Sequence, residues 1–158
     1  MKTPGDWFRL QLQTTAEGII WAIRQLKPEH QLNLPPDPVY MGTWPAARHL
    51  WHVALYERLF ALPAMKVWLG EPLARADSGS FEDREWIIEK TRGVDAFIDD
   101  LQTIRAEQIA LLNQFSDSDW ERIESTFWGE RPLTMILTKT YQHTLEHTDP
   151  VLRMGLWW

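Results

Sequence analysis

At 158 residues, with 44% apolar and 24% charged side chains and a net charge of -6, the chain has the size and balance of one globular domain. It has neither the composition of a disordered chain nor the Lys/Arg clusters of a nucleic-acid binder. No apolar stretch approaches the ~18 residues that span a bilayer, and the opening Met1-Lys2-Thr3-Pro4-Gly5-Asp6-Trp7 carries no apolar signal core, so a cytoplasmic protein without a membrane partner is expected. The absence of cysteine excludes disulfides, thiolate metal sites and a cysteine nucleophile; any sulfur chemistry would draw its thiol from a small molecule.

Thr3 as an N-cap and Pro4 at the first helical position open a helix from Pro4 to Leu26, which stops before Pro28. Pro35, Pro36 and Pro38 make the stretch from Asn33 to Gly42 a loop. A second helix starts near Thr43, with Pro45 in its first turn, and carries Arg48 through Leu62. Pro63 kinks or ends it, with a further turn or two to Trp68 before Gly70. Loop residues including Pro72 and Asp77-Ser78-Gly79 follow, and Ser80 caps a short helix to Lys90. Val94, Phe97, Ile98, Leu101, Ile104, Ile109 and Leu112 recur at helical spacing in a third long helix from Val94 to Phe115. Ser116-Asp117-Ser118-Asp119 ends it in another short turn, and a connection through Gly129 and Pro132 leads to a fourth long helix from Leu133 to Leu152. Runs of period two are scarce, so the expected fold is all-α: a four-helix bundle, up-down with long connections, plus one or two short helices, in a single domain over residues 1–158. Most of the ten tryptophans are expected in the core or a dimer interface.

Of the five histidines, His143 and His147 stand four apart in the fourth helix, so their rings project from one face. That face is shared with Leu133, Ile136, Leu137, Thr140, Thr144 and Val151, whereas Glu146 and Asp149 turn away. Such a pair is also a common arrangement of ordinary core histidines, and a third inward ring on another helix is needed to make a metal site. His49 and His52 both qualify: His52 shares a face with Leu55, Tyr56 and Leu59, and His49 lies one turn earlier on a neighbouring face. Spacing leaves the choice open. His30 lies near the Pro-rich loop and is expected to face solvent.

The segment His52-Val53-Ala54-Leu55-Tyr56-Glu57 resembles the second-helix motif of the DinB-like superfamily, in which a metal-binding His is followed five residues later by Glu. His143 and His147, after the connection containing Trp128-Gly129, resemble that family's second motif. The resemblance covers nearly the whole chain in helix order and spacing. It implies a metal site of His52, His143 and His147 for a divalent ion, zinc or nickel first, and a homodimer. Pro150, three residues after His147, departs from a regular helix and is expected to kink it just beyond the pair.

Three neutral imidazoles leave coordination positions open for water or substrate. The resemblance implies a metal-dependent hydrolase or a transferase acting with a low-molecular-weight thiol on an electrophilic substrate. The rival reading is a non-catalytic, metal-stabilised dimer acting as a stress-response binding protein. His143-Thr144-Leu145-Glu146-His147 also spells the inverted motif of one protease group, but the chain is short for a protease domain. No residue stands out as a general base; Glu57 is expected to pair across the bundle, Asp149 to sit in solvent, and Trp51 and Tyr56 to pack in the core.

Overall fold

Thr3 accepts from the backbone N–H of Asp6 while the Asp6 carboxylate accepts from the N–H of Thr3, a reciprocal cap that starts helix α1 (Pro4–Arg24). The computed structural model describes residues 3–74 and 82–158. The expected turn through Asp77-Ser78-Gly79 and the Ser80 cap lie outside the described residues.

Two one-turn helices each begin on a proline: α2 (Pro28–Gln31), just past the expected end of the first helix, and α3 (Pro38–Met41), inside the stretch from Asn33 to Gly42 expected to be a loop. Gly42, at φ +87°, then turns the chain into α4 (Ala46–Tyr56). Immediately before Pro63 the helix widens into a π-turn (Glu57–Ala61), in which the Leu62 N–H bonds the Glu57 carbonyl, and continues as α5 (Leu62–Lys66). A proline cannot donate to the carbonyl four residues back, and the widened turn takes up that mismatch. A 3-10 turn (Val67–Leu69), helix α6 (Glu82–Glu89) and a second 3-10 turn (Lys90–Arg92) complete the connection to α7 (Val94–Leu112).

A capping box on Ser116 and Asp119 sets α8 (Asp117–Glu121). The connection after it is a hairpin, which the scarcity of period-two runs did not suggest: β1 (Ile123–Thr126) pairs antiparallel with β2 (Gly129–Pro132), Ile123 opposite Pro132. Helix α9 (Leu133–Trp157) runs through Pro150 and five residues past its expected end at Leu152. Val151 and Met154 are fully buried, and Trp158 stacks on His30 with centroids 4.2 Å apart, so packing carries the last turns past the proline. That stacking leaves His30 half-buried, not in solvent as expected.

The four long helices form the all-α bundle expected from the sequence. Helices α1 and α9 run side by side in the same direction: Phe8 and Leu12 share a cluster with Leu133 and Ile136, and Gly155 lies against Gln25. Arg58 reaches Asp100 and Lys66 reaches Glu107, so α4–α5 also runs with α7, which the long connection through α6 permits.

The core has two apolar parts. One gathers Ile19, Ile23, Leu50, Val53, Phe97, Leu101 and Met154; the other gathers Leu12, Met65, Leu112, Leu133 and Leu137. A layer of buried polar side chains from α1, α7, α9 and the π-turn includes Thr15, Glu57, Arg105, Thr140 and Thr144. The Arg105 guanidinium donates to both Glu57 carboxylate oxygens, at 2.7 and 2.6 Å, and to the Thr144 hydroxyl at 2.6 Å. Its remaining nitrogen donates to the Leu12 carbonyl at 2.6 Å. The expectation that Glu57 pairs across the bundle is met by this side-on contact, with Arg105 as the partner.

Candidate metal centre

Antiparallel packing of α4 on α9 decides which histidines meet. His49, at the start of α4, meets His147 on α9, whereas His52 and Glu57, further along, meet the earlier residues His143 and Thr144. One ring nitrogen from each of His52, His143 and His147 lies within 4.8 Å of the others, with all three residues half-buried. The Nε2 atoms of His52 and His143 are 3.2 Å apart, and the His147 ring centroid is 4.6 Å from each of the other two.

The separations test whether these donors suit an ion. Around a tetrahedral centre with nitrogen ligands at about 2.0–2.1 Å, neighbouring nitrogens stand roughly 3.3 Å apart. The His52–His143 spacing of 3.2 Å fits that edge. Nitrogen donors of this kind suit zinc and nickel. The distal nitrogens have different surroundings. His52 Nδ1 lies 2.6 Å from a Glu82 carboxylate oxygen, His147 Nδ1 lies 2.8 Å from His49 Nδ1, and His143 Nδ1 is buried without a hydrogen-bond partner among the described residues. With Nδ1 taken up by His49, Nε2 is the His147 nitrogen left to bind an ion. That nitrogen has a free lone pair only if Nδ1 holds the proton and donates it to His49.

The electrostatics favour neutral rings. Burial, followed by the field of His147 and then His52, lowers His143 to about 3; burial and then His52 lower His147 to about 4. Neutral imidazole is the form that ligates.

His49 is not one of the three converging rings. It is buried behind His147, lowered to about 3 by burial and then by His147. Trp44, which no sequence pattern singled out, stacks on His147 (5.8 Å between centroids, 12° between planes) and meets His52 edge-on at 5.2 Å. Its indole shields one side of the cluster. Tyr56 packs against His143 at 4.1 Å, so it lies at the site, and burial pushes its hydroxyl upward and keeps it protonated. Trp51 is a core residue packed on Trp86, as expected. Glu146 is exposed and accepts from Gln142, and Asp149 pairs with Arg153 on the surface. A Glu146 facing solvent does not serve the protease arrangement. Pro150 leaves the convergence of His143 and His147 with His52 intact.

No curated protein and no solved structure matches the chain in comparison. A family model described as the DinB superfamily matches residues 11–149, which takes in all three converging histidines. The chain belongs to the DinB superfamily.

Proposed function

We propose that His52, His143 and His147 hold one divalent ion, zinc or nickel, and that the protein is a metal-dependent enzyme acting with a low-molecular-weight thiol on an electrophilic substrate. A hydrolase using water in place of the thiol is the nearest variant. The observation that carries this reading is the convergence of three ring nitrogens within 4.8 Å on two facing helices. A bound ion of this class would lower the pKa of a thiol or water at an open position and make it a nucleophile at neutral pH.

The protein's own groups supply the setting. Burial keeps His143 and His147 uncharged and able to bind. Trp44 covers one side, and the Tyr56 ring packs against His143, its hydroxyl kept protonated by burial. The absence of cysteine fits a thiol brought in as a small molecule. A cytoplasmic setting is part of the same proposal; no helix among the described residues is long and apolar enough to cross a membrane.

The homodimer belongs to the same proposal. Trp7, Leu10 and Trp21 project from the outer side of α1, and Leu145, Leu152 and Leu156 are exposed on the neighbouring α9. An exposed apolar face of this kind suits a second copy. A dimer in sedimentation that Trp21→Glu converts to a monomer is expected; a native monomer would refute it.

The activity is tested by loading the purified chain with zinc or nickel and presenting a chlorinated nitroarene with a panel of bacterial thiols. Turnover that needs both metal and thiol is expected. Full metal loading with no rate above background for any thiol, or for hydrolysis, would favour the non-catalytic metal-stabilised binding protein.

A further inference from the structure

His52 has two ring nitrogens with different tasks. Nε2 faces His143 across 3.2 Å, and Nδ1 faces Glu82 across 2.6 Å. An ionised carboxylate accepts hydrogen bonds and donates none, so the proton in the Glu82 contact belongs to Nδ1. A neutral imidazole carries one proton, and placing it on Nδ1 leaves the Nε2 lone pair pointing into the cluster.

Glu82 comes from α6, on the far side of the connection from α4. Its side chain and that of His52 are each only 20% exposed, so water competes weakly for the contact. Helix α6 has other anchors: Trp86 is buried against Trp51 and Phe97, Asp83 pairs with Arg48, and Arg92, in the following turn, reaches Asp100 at 2.9 Å. The position of α6 therefore does not depend on the Glu82–His52 bond. Among the described residues, His52 is the one converging histidine whose distal nitrogen meets a carboxylate.

We propose that Glu82 is a positioning residue of the metal centre, fixing the tautomer and rotation of His52 by accepting its Nδ1 proton so that Nε2 is aimed at the ion. The inference rests on the three-histidine reading. A partner of this type raises the basicity of a ligating imidazole as well as orienting it, and its loss lowers metal affinity by about 10- to 100-fold.

The test is zinc affinity by competition with a chromophoric chelator, together with nitrogen-detected NMR of the His52 tautomer in the metal-free chain. Native protein should bind one zinc and show His52 protonated at Nδ1. Glu82→Ala should bind zinc about 10- to 100-fold more weakly and lose the single tautomer. Glu82→Gln, whose amide oxygen still accepts, should keep the tautomer and lose less affinity. Native protein that binds no zinc would sink the three-histidine reading itself. Native binding with an unchanged affinity in Glu82→Ala, or a native His52 protonated at Nε2, would overturn the role of Glu82 alone. If Glu82→Ala fails to fold, Glu82→Gln and the native tautomer still decide the question.

Discussion

His49 and His52 stand three residues apart on α4, and the sequence pattern alone treats them alike. Both lie on inward arcs, and only the family motif favoured His52. The difference is one of rotation: His52 projects toward His143 and His147 together, whereas His49 reaches His147 from behind through Nδ1. His52→Ala is therefore expected to abolish stoichiometric zinc binding. His49→Ala should keep the ion but weaken it by about tenfold or more, because His147 loses the acceptor that holds its tautomer. Equilibrium titration of both variants checks this, and the opposite ranking would contradict the assignment of the third ligand. Trp44 and Glu82 were illegible at this scale. Trp44 reaches the cluster from just before α4, and Glu82 reaches it only because α6 folds back onto α4.

Between the two apolar parts of the core, helices from distant stretches of sequence are joined by a few polar bonds. Arg105 ties α7 to the π-turn through Glu57, to α9 through Thr144 and to α1 through the Leu12 carbonyl. Glu57 was legible as a residue that pairs across the bundle, but its partner was not: Arg105 lies in a helix whose signal is its apolar positions, and one charged residue on their arc carries no label. The π-turn was illegible for a related reason. Helical periodicity encodes 3.6 residues per turn and has no mark for a wider one; Pro63 announced only that something must give. Removing one partner strands a charge in the interior. Arg105→Met is thus expected to cost about 3–5 kcal/mol in urea unfolding, with much of it recovered when Glu57→Leu is added. A single-variant loss below about 1 kcal/mol would mean that the layer is not a buried ion pair in effect.

The bundle class was readable from the period of the apolar residues, as were the four long helices to within a few positions at most ends. The course of the chain was not. That α4–α5 runs with α7 depends on where the connection through α6 crosses, and that α9 outlasts Pro150 depends on burial of Val151 and Met154 against other helices. This topology sets α4 antiparallel to α9 and gives the histidines a common point. An ion bound only by the folded chain adds stability in proportion to the logarithm of its concentration over Kd, so the site joins folding and binding in one equilibrium. The most direct measurement is anomalous diffraction at the zinc edge from crystals grown with one equivalent of zinc. One peak within about 2.1 Å of a ring nitrogen of each of His52, His143 and His147 is expected. A cluster without a peak, or an ion held by His49 and His147 with His52 left out, would contradict the account.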